Sequence, residues 1–136
     1  KAGWPWLVRH WHISENRSLY LARESNASWV TRHEVEQFEN LVVTPVRSAL
    51  DLFELSRELR NCLVDAKYAR DCASGEIELL SVRKIKTQQI IGCIGIDYRG
   101  DSPHVFDAGG FANEPPNGQF KQLTATISGR FASLAG

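Results

Sequence analysis

The sequence predicts one α+β domain, with N-terminal helices, then a three-stranded antiparallel meander sheet, and a closing C-terminal helix. Three observations lead to this fold class. Apolar residues recur at helical spacing in the first half, the period changes to two between Glu76 and Tyr98, and helical spacing returns after a loop rich in glycine and proline. Helices placed before a hairpin-linked sheet are typical of α+β layer folds.

Residues 1–45 are predicted to form a helical N-terminal part of the domain. Residues 4–23 carry apolar side chains on one helical face, namely Trp4, Leu7 and Trp11. Thr31 and Glu34 have the spacing of a capping box, which marks the start of a helix. The apolar residues that follow on one face of that helix are Val35, Phe38 and Leu41. Pro45 then ends or redirects the helix.

Residues 46–136 are predicted to form a helix–sheet–helix core. Helical spacing resumes at Ala49, with a break near Leu59–Cys62 and with Gly75 as the residue just beyond the helix end. Alternation predicts strands over residues 76–83, 88–98 and 104–108, whose short connections require antiparallel pairing. The last helix carries an apolar face formed by Phe120, Leu123, Ile127, Phe131 and Leu134.

Composition narrows the class of protein. The chain has 136 residues, of which 43% are hydrophobic and 24% charged, as in an ordinary globular domain. Sixteen basic residues balance sixteen acidic ones, whereas nucleic-acid binders usually carry a basic stripe, so nucleic-acid contact is open but not favoured. The longest uncharged run, residues 87–96, is far shorter than the roughly 20 apolar residues of a membrane span. The chain contains no methionine, so we expect it to be part of a longer polypeptide.

The cysteine pattern indicates a reducing compartment. Cys62, Cys72 and Cys93 are odd in number, widely spaced and without a CxxC pair. This suits reduced thiols in a cytoplasmic protein better than a disulfide framework or a zinc site. The sequence therefore predicts a cytoplasmic location, no metal site and no cofactor.

Two groups of side chains are candidates for chemistry. Cys62 is a candidate nucleophile, with His104 as its base, although a free cysteine is commonly a small buried apolar residue. Ser81, Arg83 and Asn113 are expected to converge on one sheet face, where Arg83 would hold a phosphate or carboxylate. The alternative for Arg83 is an ion pair at the sheet edge with Glu76 or Glu78.

The N-terminal segment mixes aromatic and basic side chains. The candidate binding residues there are Trp4, Trp6, Arg9 and Trp11. Such mixtures bind single-stranded nucleic acid by stacking, but tryptophans at helical spacing more often pack in a core or against a neighbouring domain. We therefore expect this segment to pack against a protein partner or another domain of the same chain. His10 and His12 lack a third metal ligand.

The central stretch resembles the PcfJ-like family of conjugative plasmids, phages and other mobile elements. The residues that carry the resemblance lie between about 46 and 134. They are the segment 60–64 (Arg-Asn-Cys-Leu-Val), Tyr68, Gly75, the segment 80–83 (Leu-Ser-Val-Arg), Thr87, Gly110, Asn113 and Pro115. The chain departs from the family where a histidine is usual, at Arg60 or Asn61, and where an acidic residue is usual, at Gly95 or Ile96. It departs a third time at a glutamine position, occupied by Asp107 or Ala108.

The resemblance implies a mobile-element or phage-related setting and adds Tyr68 to the candidate binding residues. The first hypothesis for function is an interaction module without enzymatic activity, which acts by contact with protein. In this hypothesis contact with nucleic acid is an additional possibility. The second hypothesis is an enzyme, such as a nuclease or a transferase-like toxin domain. It would use a cleft lined by Cys62, Ser81, Arg83 and Asn113, with His104.

Overall fold

A five-stranded antiparallel meander forms the centre of the domain. The computed structural model describes residues 27–59 and 66–135. The strands lie side by side in chain order and are β1 (Glu36–Phe38), β2 (Leu41–Pro45), β3 (Ile77–Lys84), β4 (Ile90–Asp97) and β5 (His104–Gly109). The helices are α1 (Ala49–Leu59), α2 (Ala66–Ala73) and α3 (Gly118–Ala135), with a short 3-10 turn at Phe111–Asn113. The predicted α+β class, the antiparallel meander and the closing helix are confirmed.

Helices cover both faces of the sheet. On one face, α1 and α2 pack on β3 and β4, and the buried core there consists of Val46, Leu52, Leu55, Leu59, Ala69, Cys72, Ile77, Leu79 and Cys93. On the other face, α3 covers Leu41, Val43, Leu80, Val82, Ile94 and Ile96 with Phe120, Leu123, Ile127 and Phe131. Because the sheet is covered on both sides, β3 is buried at six consecutive positions, Ile77 to Val82, rather than at alternate ones.

The prediction of helix over residues 31–45 is wrong, because this segment contributes two strands. Thr31 does not cap a helix, since its hydroxyl donates to the carbonyl of His33 at 3.1 Å. Burial alternates along β2, with Leu41, Val43 and Pro45 buried and the residues between them half-buried. β2 pairs with β3 through Val43 opposite Val82, so the predicted three-stranded sheet becomes five-stranded. Tertiary pairing outweighed the local helical spacing.

The remaining predicted boundaries agree with the structure where it describes them. Gly75 ends α2 with φ of +81°, the left-handed conformation that glycine adopts without strain. The predicted break near Leu59–Cys62 falls on the end of α1 and on residues outside the described ranges. The predicted helix over 4–23 also lies outside them. Within the described residues, no helix has the length and apolar character needed to cross a membrane.

Candidate functional site

Arg83 lies near the end of β3, beside an irregularity in the pairing of β3 with β4. It pairs with Val42 of β2 on one side and with Ile90 of β4 on the other. The register between β3 and β4 shifts between Val82 and Arg83, which marks a β-bulge. Bulges re-aim a side chain and are frequent beside binding sites. The unpartnered residue of this bulge is Ile91 of β4, whereas Arg83 keeps the regular register of β3 with β2 and therefore shares the sheet face of Ser81.

The guanidinium of Arg83 has no protein partner in the part of the chain that the structure describes. Its Nε atom is buried and donates no hydrogen bond to any described residue. A buried donor without an acceptor costs about 1–3 kcal/mol, and more when it is charged. Arginines in such positions ordinarily pair with a carboxylate or reach water. Arg83 thus carries a buried donor that the described residues leave without an acceptor.

A hollow of about 400 Å³ opens beside Arg83, on the sheet face that α1 and α2 leave partly uncovered. Its lining consists of Gln37, Val42, Thr44, Arg83, Ile85 and Gln88. Within residues 27–59 and 66–135, Arg83 is the one charged residue of that lining, and the other polar groups are two amides and a hydroxyl. The hollow therefore combines a single positive charge with neutral donors and acceptors.

A smaller hollow of about 110 Å³ adjoins Arg83 on the side toward α1. Asp51, Glu54 and Ser81 line it together with Arg83. Neither carboxylate forms an ion pair with Arg83 within the described residues. The two acidic groups make this side of Arg83 unfavourable for a highly charged anion.

Gln88 at the rim of the larger hollow has a backbone that L-residues rarely adopt. Its φ is +61°, and its side-chain Nε2 donates to the carbonyl of Ile85 at 2.8 Å. Left-handed backbone at a residue other than glycine costs of order 1–3 kcal/mol, and such residues cluster at ligand sites. Gln88 closes the turn between β3 and β4, where its N–H donates to the carbonyl of Lys84 at 2.8 Å, so its backbone conformation belongs to the hairpin.

Ser81, predicted to share a site with Arg83, lies on the same sheet face but is 6% exposed. Its hydroxyl donates to the carbonyl of Thr44 at 3.1 Å, which joins β2 to β3. The hydroxyl is therefore engaged in holding the sheet together.

The structure places Asn113 and His104 at opposite ends of the sheet. Asn113 ends the 3-10 turn after β5, and Gly110 in the same turn packs close to the carbonyl of Ile91, at the end of the sheet where Arg83 lies. His104 pairs with Asp97, which pairs with Ile77 at the opposite end. Ile77 and Arg83 are six positions apart along β3, a span of roughly 20 Å at strand geometry. His104 and Arg83 therefore do not share a cleft.

Of the remaining predicted site residues, the structure describes only one. Cys62, Trp4, Trp6, Arg9 and Trp11 lie outside the described residues. Tyr68 is described, and it is half-buried against the core beneath α1 and α2. Its position is that of a packing residue at the margin of the core.

The alternative that Arg83 pairs with Glu76 or Glu78 is wrong. Glu78 faces the opposite side of the sheet and accepts hydrogen bonds from other residues. Glu76 lies 4.0 Å from the guanidinium of Arg99. Both carboxylates belong to the far end of β3, because Glu78 pairs with Ile96 whereas Arg83 pairs with Ile90.

The sequence interpretation missed a polar cluster around Glu78, whose side chain is only 4% exposed. One carboxylate oxygen accepts from the backbone N–H groups of Arg32 at 2.7 Å and His33 at 2.9 Å. The other accepts from the Tyr98 hydroxyl at 2.7 Å and contacts Nδ1 of His33. Arg32 also lies over the Tyr98 ring, 3.7 Å from its centroid.

These contacts keep Glu78 ionised. Burial by itself raises the pKa of its carboxyl, but the hydrogen bonds from His33 and Tyr98 outweigh burial and lower that pKa to about 2. Burial and the adjacent carboxylate raise the pKa of Tyr98, which stays protonated as a donor. The cluster fastens residues 31–33 to the sheet. A signal was visible in the sequence, since Glu78 shares the alternation of Leu80 and Val82 on an apolar face.

The described residues contain no group of three or more histidine, cysteine or acidic side chains placed to hold a metal ion. Comparison with protein-family models, with curated proteins and with solved structures finds no match to this chain. Function therefore has to be inferred from the residues and their geometry.

Proposed function

We propose that this domain is an interaction module of a mobile-element or phage-related protein and works by protein contact rather than by catalysis. The observation that carries the proposal is the guanidinium of Arg83, buried at Nε and without a protein partner among the described residues, beside an open hollow. Binding sites place charged donors where a partner completes their hydrogen bonds. The resemblance of residues 46–134 to the PcfJ-like family supports the genomic setting.

Two placements support binding over the alternative of a nuclease or transferase-like enzyme. The Ser81 hydroxyl donates to Thr44 inside the sheet, so it is poorly placed to attack a substrate. His104 lies at the other end of the sheet from Arg83, out of reach of a shared substrate. An enzyme would then need to assemble its chemistry around Cys62 without either residue.

Charge supports a protein partner over nucleic acid. The chain has no net charge, and among the residues that the structure describes Arg83 is the one basic residue that lines the larger hollow. Nucleic-acid affinity requires several phosphates to be neutralised together, which one arginine does not provide. The thiols of Cys72 and Cys93 are unpaired, which is in keeping with the reducing cytoplasm as the place of contact.

Site-specific photocrosslinking tests the proposal in cells that express the protein natively. A photoreactive amino acid replaces Gln37, which lines the hollow, or Gln122, which is exposed on α3 beyond the other face of the sheet. We expect a discrete protein adduct from position 37 and none from position 122. The adduct should resist nuclease and should disappear when Arg83→Gln is combined with the probe.

Three results would contradict the proposal. An adduct that nuclease removes would identify nucleic acid as the contact. Equal adducts from both positions would show that the hollow is no more than exposed surface. The lack of any adduct from position 37, with the protein expressed at its native level, would leave the hollow without a macromolecular partner.

A further inference from the structure

We propose that the N-terminal segment of the same chain, residues 1–26, covers the sheet face beside Arg83 and competes there with the partner. This inference rests on the proposed function and concerns the regulation of its site. It depends on three features, which are the open face itself, the point at which the segment joins the domain and the composition of the segment.

The open face is formed by β1, β2 and the end of β3. The strand pairing places Gln37, Val42 and Arg83 in one row, so their side chains share this face. Its half-buried apolar residues are Val42 and Ile85. The hollow that opens here is lined by strands and by the turn after β3, and no described helix contributes to that lining. Within the described residues, this part of the sheet therefore lacks the cover that α1 and α2 give to β3 and β4.

Residues 1–26 join the domain within reach of this face. The carbonyl of Ala27 accepts a hydrogen bond from the N–H of Ala49, the first residue of α1, at 3.0 Å. Ala49 follows Val42 of β2 by seven positions, so the two lie no more than about 25 Å apart. A stretch of 26 residues spans roughly 40 Å even at the short rise of a helix, which is enough to cross the face.

The segment carries apolar side chains of the kind that such a face would bury. At helical spacing Trp4, Leu7 and Trp11 share one side, and Trp6 falls on the other. An indole ring buries about 150–250 Å² when it is covered, so two of them in one row gain most from an apolar surface.

The charge of the segment also suits this location. Its charged residues are Lys1, Arg9, Arg17 and Arg23 against Glu15 and Glu24. Asp51 and Glu54 line the smaller hollow beside the open face and form no ion pair within the described residues. An excess of basic side chains is attracted by these carboxylates, at a strength that salt reduces.

The tether between segment and domain makes the competition effective. A segment joined to its site by the chain acts at an effective concentration of about the millimolar range, so even weak docking occupies a large share of the molecules. A partner that buries the same face has to displace the segment. Its apparent affinity is then reduced by the fraction of molecules in which the face is free.

The test is photocrosslinking within the purified full chain, with the photoreactive amino acid at position 37 or, as the control, at position 122 on α3. Unlabelled and ¹⁵N-labelled proteins are mixed in equal amounts, so that peptide masses separate contacts within one chain from contacts between copies. We expect position 37 to crosslink to residues 1–26 of its own chain and position 122 to give no such product.

Two tryptophans provide a matched pair of variants. Trp11→Ala removes a ring from the apolar row and should lower the intrachain yield from position 37 about threefold or more, because part of the docked population is lost. Trp6→Ala removes the same kind of side chain from the other side and should leave the yield unchanged. Leu7→Ser provides a second change in the row. In cells, Trp11→Ala should raise the yield of the partner adduct from position 37.

The outcomes distinguish this inference from the proposed function. The inference is overturned by the lack of a crosslink between position 37 and residues 1–26, by equal yields from positions 37 and 122, or by products that join labelled to unlabelled chains. Equal effects of Trp11→Ala and Trp6→Ala would contradict docking through the apolar row. A partner adduct in cells that Trp11→Ala leaves unchanged would contradict the competition. The lack of any partner adduct would instead count against the proposed function, while an intrachain crosslink would still support the docking.

Discussion

The carboxylate of Glu78 and the hydroxyl of Tyr98 lie 2.7 Å apart, and the bond joins β3 to the residue that follows β4. The same carboxylate accepts from the backbone of Arg32 and His33, more than 40 residues away in sequence. One buried anion thus links three separate parts of the chain. Removal of this carboxylate should therefore destabilise all three of these parts and not β3 alone.

We predict that Glu78→Gln lowers the free energy of unfolding by about 3 kcal/mol, because it removes a buried charge whose donors remain in place. Tyr98→Phe removes one donor and should cost about 1–2 kcal/mol. Denaturant unfolding followed by tryptophan fluorescence measures both. If Glu78→Gln changes stability by less than Tyr98→Phe, the carboxylate is not the centre of the cluster.

The low pKa of Glu78 also predicts acid sensitivity. The carboxyl has an ordinary pKa of 4.5 and a pKa of about 2 in the folded protein. Because the folded value is the lower one, the stabilisation is complete above pH 4.5 and is lost as the pH falls toward 2. A shift of this size corresponds to about 3 kcal/mol. Unfolding free energies measured across that window should fall steeply.

The acid sensitivity needs a control, because the hydrogen bond from Arg130 also lowers the pKa of Glu36. Glu78→Gln should retain only the part of the pH dependence that belongs to other carboxyls. If the unfolding free energy of Glu78→Gln falls with pH as steeply as that of the unmodified protein, the acid sensitivity belongs to other groups.

The close packing of β4 against α3 gives a third prediction. A Cβ atom on Gly92 would lie 2.3 Å from the ring of Phe120, which is 5% exposed. Gly92→Ala should therefore destabilise by about 1–3 kcal/mol through overpacking. Gly129 lies in α3 with nothing within 4 Å of its added Cβ, so Gly129→Ala should stabilise by up to about 1 kcal/mol. Thermal unfolding of the pair tests the packing, and two effects of the same sign would contradict it.

Thiol reactivity gives a fourth prediction. Burial raises the pKa of Cys72 to about 12 and raises the pKa of Cys93 as well. Both thiols should resist a small alkylating reagent at neutral pH until the protein unfolds. Intact mass should show at most one label on the folded chain and none on Cys62→Ser. Labelling at two or more sites in the folded protein would show that the core opens more readily than its packing implies.

The same measurement bears on the enzyme alternative. Fast labelling of the folded protein that is lost in Cys62→Ser would identify Cys62 as an activated thiolate and would favour catalysis. Slow labelling of that residue would favour the interaction module.

Local signals predicted the strands β3, β4 and β5. The alternation of side chains along each strand, and the turn residues between the strands, lie within short stretches of the sequence. The segment 31–45 was mispredicted for a physical reason. Thr31 and Glu34, followed by Val35 and Phe38, satisfy helical spacing locally, whereas the strand is stabilised by pairing with β3 about 40 residues later. A short edge hairpin depends on that partner, and no local pattern reveals it.

The candidate site was predictable in part. Arg83 was identified from the sequence, but the hollow beside it is formed by residues of several strands and of the turn between β3 and β4. The grouping with His104 failed because the meander sends that residue to the opposite end of the sheet. The Glu78 cluster was missed because its donors come from segments that only the folded sheet brings together.

The most direct test of the central claim is the stability of Arg83→Met in the absence of any partner. If Arg83 is reserved for a ligand, an apolar side chain of similar length removes an unpaired buried donor, and the free energy of unfolding should stay within about 1 kcal/mol of the unmodified protein or rise above it. Arg57→Met, an exposed substitution on α1, serves as the matched control. A loss of more than about 2 kcal/mol in Arg83→Met alone would contradict the account, since it would show that the arginine already has a structural partner in the folded protein.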